Sequence, residues 1–420
     1  MAEKEIFVFD SFTNINPILI GYMYIDIVRG NELVSFEFDE YYLDTMMPKV
    51  KLDPNLSYCS GRQYAYGKKI FGLFADSSPN IWGRALLKKK ERILADKVGK
   101  KPSKLFESDF LLGVYDETRM GGLRFKTHLD GPFISSDIDN TIPPWTSLRK
   151  LEASVKAFES DDIENDDSWF EQLIKPGSSL GGARPKANVS DTSNNLWIAK
   201  FTSRNDSYDV GAWEMVVHDL AKMCMLNVVE AKLERFSKFG STYLVRRFDR
   251  DKNKRIHFAS AMTLLGKTDG QSSSDGISYL DIADFIKENG INPKRDLREL
   301  WRRIVFNMAV SNTDDHLRNH GFIYNRQGWS LSPLYDVNPI PYGDELSLNV
   351  DEYNPNISFE LALEVSNKFS VTKSEATEYC DEVSNIVNSN YKIIAKSYGL
   401  SNREIEDMSP AFYLCLKRIE

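Results

Sequence analysis

Four residues separate Asp314 from Asn319 in the segment Ser311–Phe322, SNTDDHLRNHGF. A carboxylate and an amide at that spacing suit the catalytic loop of a phosphoryl-transfer enzyme. There the carboxylate orients or accepts the proton of an attacking hydroxyl, and the amide oxygen holds a magnesium ion. Taken alone, the pattern also describes a helix-capping turn. Asp336, in LSPLYDVNPIP, supplies a second carboxylate downstream. Hard cations take oxygen ligands, so Asn319 and Asp336 together suit a magnesium ion bridging two phosphates. Upstream, Lys200 lies inside the apolar run LWIAKFT, and Glu214 follows fourteen residues later at the start of a helical pattern. A strand lysine paired with a glutamate on the next helix is how kinases hold the first two phosphates of ATP, although an edge-strand lysine is the plainer alternative. The loop Ser178–Lys186, SSLGGARPK, adds small residues and two cations. Its glycines allow backbone N–H groups to approach phosphate oxygens, but the GxxxxGK[ST] spacing of a P-loop is missing.

These residues need strands and helices to position them. Apolar and aromatic runs predict strands over Pro17–Val28, Leu33–Phe38 and Gly122–Thr127, with a helix over Trp82–Gly99. That helix carries Arg84, Lys88, Lys89, Lys90, Arg92 and Lys97, the most basic stretch of the chain; it reads as a solvated face or as a docking surface for an acidic partner. Asp130–Trp145 reads as a connector, Ser147–Phe158 as an amphipathic helix, and the acidic run Glu159–Asp167 as a solvated loop. A loop over Lys175–Asn188 leads to a strand over Leu196–Thr202. A helix over Asp209–Leu226 and strands over Val228–Phe236 and Ser241–Phe248 follow. From about Ser278 helices dominate, over Pro293–Ser311, Lys373–Gly399 and Asn402–Arg418, around a loop-rich stretch from Asn312 to Asn356. The order predicts an α+β fold with two lobes, kinase-like, with a β-rich N-terminal subdomain and a mostly helical C-terminal lobe. The expected boundaries are 1–134, 147–250 and 251–420.

Length and composition agree with that division. The chain has 420 residues, 42% hydrophobic and 27% charged, which excludes wholesale disorder. Its formal net charge of -8 makes unaided nucleic-acid binding a poor expectation. No run approaches the roughly 20 apolar residues of a membrane span, and the first residues lack a secretory pattern, so a cytoplasmic protein is expected. The four cysteines are far apart and form no zinc motif.

The segments SSLGGARPKA, FDR, NTDDHLRNHGF and LSPLYDVNP, within Gly177–Pro339, closely resemble the motifs of HipA-type serine/threonine kinases, the toxins of type II toxin–antitoxin modules. The resemblance implies an ATP- and Mg²⁺-dependent protein kinase whose β-rich first 130 residues form the family's N-terminal subdomain. It makes Asp314 the catalytic aspartate, Asn319 and Asp336 the magnesium ligands, and Lys200 the ATP-phosphate lysine with Glu214 as its partner. Gly181, Gly182, Ala183, Arg184 and Lys186 belong to the phosphate loop. Arg246–Phe248 would be the hinge that contacts adenine. Ser179 matches the autophosphorylated serine, whose modified form ejects the loop and silences the enzyme. The implied partners are a cytoplasmic protein substrate such as an aminoacyl-tRNA synthetase or other translation factor, and a small helix-turn-helix antitoxin through which DNA is reached.

The sequence also departs from that pattern. Arg184–Pro185 stands where glutamine–glutamate is common, Asp315 where a small residue follows the catalytic aspartate, and Val337–Asn338 where a eukaryotic kinase has Phe–Gly. Asp315 either raises its neighbour's pKa or faces solvent. His316 is expected to brace the loop. Two other functions fit parts of the pattern: a small-molecule kinase on the same fold, and a non-catalytic nucleotide-binding module acting with a DNA-binding partner.

Overall fold

The computed structural model describes residues 3–14, 16–136, 142–160, 168–177, 179, 182–252 and 254–419. The chain divides into two compact units. The first comprises Met1–Arg204, Arg246–Ala259 and Tyr324–Gln327; the second comprises Asn205–Val245, Ser260–Ile323 and Gly328–Glu420.

The first unit begins with β1 (Lys4–Asp10), β2 (Ile18–Val28), β3 (Asn31–Phe38), β4 (Gln63–Tyr64) and β5 (Leu123–Lys126). They form one sheet in the order β4-β3-β2-β1-β5. The β2–β3 hairpin closes Val28 onto Asn31 through Arg29 and Gly30, both at positive φ, the turn whose twist matches that of antiparallel strands. One face of the sheet buries Ile6, Val8, Ile20, Met23, Ile25, Val34 and Phe36, with Phe71, Phe74 and Phe125 in the same core. The sequence pattern missed β1, a central strand, because its short run IFVF is bounded by charges rather than by turn residues.

Helix α1 (Ile81–Lys97) starts at Asn80, whose side chain accepts from the Ile81 N–H. It buries Trp82, Leu86 and Leu87, while Leu94, expected on the apolar face, is exposed. The exposed side carries Lys88, Lys90, Arg92 and Lys97. Helix α2 (Leu148–Ser160) follows, and the acidic run after it lies largely outside the described residues. The loop expected from Lys175 to Asn188 is shorter than the sequence suggested. Helix α3 (Ser168–Gly177) occupies its beginning and strand β6 (Lys186–Ser190) its end. Pro176, inside that expected loop, sits in the last turn of α3. Strand β7 (Leu196–Lys200) pairs antiparallel with β6.

The second unit opens with α4 (Val210–Met223), capped by Asp209, whose carboxylate also takes the Ser241 N–H and hydroxyl. Its Trp213, Val217 and Leu220 are fully buried, each contributing about 1.5–3 kcal/mol to folding. A hairpin of β8 (Ala231–Ser237) and β9 (Gly240–Arg246) follows. Then come α5 (Tyr279–Asn289), α6 (Pro293–Ala309) and α7 (Lys373–Ser397), each begun by a capping box or an early proline. The expected helix over Asn402–Arg418 is broken into α8 (Asn402–Met408), a 3₁₀ turn holding Pro410, and α9 (Tyr413–Ile419). Proline lacks the donor that a continuous helix needs there. Among the described residues, no helix is long and apolar enough to cross a membrane.

Candidate active site

In the first unit, β6 and β7 place Lys186 directly opposite Lys200. Opposed residues of an antiparallel pair share one face with Cβ atoms about 5 Å apart. Both lysines are buried, so two ammonium groups occupy one face of this hairpin, an arrangement that suits a polyanion. The opposite face holds the apolar Ala187, Val189, Trp197 and Ala199, all buried. Asn188, two residues along from Lys186, returns to the lysine face and donates through Nδ2 to the Ser179 hydroxyl at 2.9 Å and to the Pro176 carbonyl at 2.8 Å. Ser179 is therefore buried at 2% exposure.

Gly182 has φ 78°, which favours glycine, and a Cβ there would lie 2.6 Å from Lys186 Nζ. The lysine ammonium thus rests directly over the loop. Ala183 is exposed, and Arg184 donates to the Phe201 carbonyl at 3.3 Å. Gly181 lies outside the described residues. Arg246 reaches Asn195 Oδ1 at 3.0 Å, and the Phe248 ring packs 5.9 Å from Phe258. Between them Arg247 is buried. It donates to Asn188 Oδ1 at 2.7 Å and makes paired bonds to Asp249 at 2.8 and 2.6 Å. Burial alone would raise the Asp249 pKa, but Arg247 and Arg250 hold it well below the usual carboxylate range.

In the second unit, α6 ends and the chain turns sharply through Ser311 at φ 47° into the Asp314 loop. Asp315 is the loop's buried anchor. Its Oδ2 accepts from Tyr279 OH at 2.6 Å, from Asn307 Nδ2 at 2.7 Å and from His320 Nε2 at 2.9 Å. Desolvation opposes its ionisation, but His320 and these donors outweigh it and hold the pKa below the ordinary value. Of the two readings of Asp315, solvent exposure is therefore ruled out.

Asp314 points the other way and reaches solvent. Its pKa is raised by partial desolvation and by the charges of Asp336 and Asp315, against the pull of His316. Asn319, buried, donates from Nδ2 to the Asp314 carbonyl at 2.9 Å, and its amide oxygen is the group's acceptor. The brace expected of His316 is made by its backbone, which donates to the Asp314 carbonyl and accepts from the Asn319 N–H, and His320 supplies the imidazole bond.

The Asp336 segment is stapled to this loop. Tyr335 OH donates to the Arg318 carbonyl at 2.6 Å, the Asn338 N–H to Asn312 Oδ1 at 3.3 Å, and the Ile340 N–H to the Ser311 carbonyl at 3.2 Å. Asp336 itself sits at φ 58°, a left-handed conformation held by the bonds on either side. It lines a cavity with Glu214, His218 and Tyr243. Burial and the charges of Glu214 and Asp336 push the Tyr243 pKa well up. The second unit thus brings together Asp314, Asn319, Asp336 and Glu214, while the first holds Ser179, Gly182, Ala183, Arg184, Lys186, Lys200, Arg246 and Phe248.

The oxygen donors of Asn319 and Asp336 would suit a hard divalent cation that keeps part of its water and phosphate shell. Among the described residues, no group of three His, Cys, Asp or Glu side chains is placed to hold a metal ion. Asn188 and the Arg247–Asp249 pair were not singled out from sequence. The signal was present for Asn188, which alternates onto the face of Lys186 within one strand.

The HipA-like C-terminal domain family matches residues 178–391, half of the chain, which include the loop, both lysines, Glu214, Asp314, Asn319 and Asp336. The chain belongs to this family. A Haemophilus influenzae protein named "Putative kinase" is 36% identical over 109 residues, 24% of this chain and 32% of its own length. The "Serine/threonine-protein kinase toxin HipA" of Shewanella oneidensis is 23% identical over 248 residues, 51% of this chain and 56% of that protein. The matches therefore span only about a third to just over half of these curated relatives. A chain of the Shewanella oneidensis MR-1 complex of HipA, HipB and operator DNA superposes with a TM-score of 0.65 at 15% identity, covering 98% of this chain and 96% of that one. That likeness shows the fold, and the fold class expected of this HipA-like chain, α+β and kinase-like, is the one observed.

Proposed function

We propose that this HipA-like chain is an ATP- and Mg²⁺-dependent serine/threonine protein kinase of the toxin type. The observation that carries the proposal is the stapling of Asp336 to the loop that presents Asp314 and Asn319. Asp314 accepts the proton of a serine or threonine hydroxyl while the oxygen attacks the γ-phosphorus of ATP. The bond from that phosphorus to the β–γ bridging oxygen breaks, and ADP carries the electron pair away. Asn319 and Asp336 hold the magnesium ion, which neutralises charge on the phosphates. Lys200, partnered by Glu214, and the segment from Gly181 to Lys186 hold the phosphates, and Arg246–Phe248 meets adenine. Functionally, residues 1–134 form a β-rich subdomain, 147–250 carry the nucleotide elements, and 251–420 carry catalysis.

Ser179 is the chain's own acceptor, and its burial means that the loop must release it before it can be modified. A phosphate there adds close to two negative charges beside the nucleotide site, which disfavours triphosphate. The substrate is a cytoplasmic protein of translation, such as an aminoacyl-tRNA synthetase, and its modification arrests growth. The partner is a small DNA-binding antitoxin, supported by the fold shared with the HipA–HipB–DNA complex. With the chain at -8, DNA contact falls to that partner. Incubation with γ-labelled ATP and Mg²⁺ should place phosphate on Ser179. Undiminished labelling in Asp314→Asn protein would refute the assignment.

A further inference from the structure

The phosphate loop owes its position to a residue far from it in sequence. The backbone N–H of Trp82, in the first turn of α1, donates to the Gly182 carbonyl at 3.2 Å. The first N–H groups of a helix have no partner within it, and here one is spent on the loop. The indole Nε1–H of the same residue donates to the Lys186 carbonyl at 2.8 Å, in a buried bond. Both donors of one tryptophan therefore end on the phosphate segment, one at the glycine and one at the lysine that closes it.

The loop's entry is gauged by the same helix. A Cβ on Gly177 would lie 2.7 Å from Leu86 Cδ1 and 3.3 Å from Trp82 Nε1. The indole ring is 4% exposed and stands edge-on to Phe158 at 5.1 Å. Lys186 is thereby fixed at both ends, its carbonyl by Trp82 and its ammonium over Gly182.

We propose that Trp82 is the positioning residue of the phosphate loop, so that the first turn of α1 sets nucleotide affinity although it touches no nucleotide. The proposal rests on the kinase reading above. An ordinary core tryptophan would contribute packing alone. This one adds a directed indole bond to the Lys186 carbonyl beside the backbone bond to Gly182, and losing the indole bond tilts Lys186 away from its place over Gly182.

The test compares the full-length wild type with Trp82→Phe, which keeps an aromatic ring but removes the indole donor, and with Phe158→Leu, which loosens packing on the ring without touching either bond. Steady-state kinetics give KM for ATP and kcat, and hydrogen exchange reports the amides of residues 182–190 without nucleotide. Trp82→Phe should raise KM for ATP roughly three- to tenfold with a smaller change in kcat, and should speed exchange in that segment. Phe158→Leu should leave KM within about twofold, since it breaks neither bond. A wild type that binds ATP, with a Trp82→Phe protein of equal KM and unchanged exchange, overturns the positioning role alone. A wild type that binds no MgATP overturns the kinase reading, and this role with it.

Discussion

The proposed catalytic loop and the proposed phosphate loop are held in different ways. The segment from Ser311 to His320 is fixed mainly through one buried side chain of its own. Asp315 is driven into the core beneath Tyr279, Asn307 and His320, and its neighbour Asp314 is thereby turned outward. The phosphate segment, Lys175–Asn188, carries no Asp or Glu to play that part. Gly182 and Lys186 hang from Trp82, and Ser179 hangs from Asn188, which is in turn held by Arg247 and Asp249. A loop fixed from within is preorganised for chemistry, since its groups need no rearrangement when charge develops. A loop fixed by borrowed bonds can be released by breaking a few of them, which suits a switch.

The largest effect should come from the preorganised side. Asp314→Asn keeps the shape but cannot accept a proton, and phosphoryl transfer should fall roughly 10²- to 10⁴-fold. Because Asp314 reaches solvent, the denaturation midpoint should hardly move. A large drop in stability would mean that the carboxylate is structural and that the two loops are not divided as described.

Asp315 should behave in the reverse manner. Asp315→Ala leaves Tyr279, Asn307 and His320 facing an empty site, with a loss of about 3 kcal/mol in urea denaturation at neutral pH. Its pKa is lower folded than unfolded, so its stabilisation is present above the unfolded value and is lost as pH falls through the folded one. The gap between wild type and variant should therefore narrow on acidification below the ordinary carboxylate range. A gap that stays constant would deny the ionised anchor.

On the borrowed side, Asn188→Ala frees the Ser179 hydroxyl from its donor. Phosphate should accumulate on Ser179 roughly three- to tenfold faster, measured by intact mass against time. Equal or slower modification would show that Asn188 is not the restraint.

What the sequence revealed follows the same division. The Asp314–Asn319 spacing and the following Asp336 were readable because all three residues lie within one short stretch of sequence. The direction of Asp315 was not readable, since Tyr279 and Asn307 come from two other helices. Helix α1 was readable from its apolar spacing and its basic face, but nothing in Asn80–Trp82 signals that a loop a hundred residues later hangs from it. Strand β1 was lost for want of turn residues, and the loop expected from Lys175 begins in fact with the end of a helix. Local periodicity thus showed most elements, while bonds between distant segments showed in the sequence only where both ends fell into one motif.

The finest prediction concerns how the two carboxylates near the reaction influence each other. Asp314 titrates above the ordinary value of 3.8, through partial desolvation and then the charges of Asp336 and Asp315. For a carboxyl raised by folding, the stabilising share is full below the unfolded pKa and lost as pH rises through the folded one. Activity runs in the opposite sense, because only the ionised form accepts a proton. The acid limb of kcat/KM should therefore fall at a pH above 3.8, and transfer should decline before the fold does. Asp336→Asn removes one of the raising charges, so the Asp314 carboxyl, followed by carbon-13 NMR titration, should move back toward 3.8. A titration midpoint unmoved by Asp336→Asn would mean that the staple from Tyr335, Asn338 and Ile340 does not bring Asp336 within charge range of Asp314, and the most rigid part of the site would lose its defining feature.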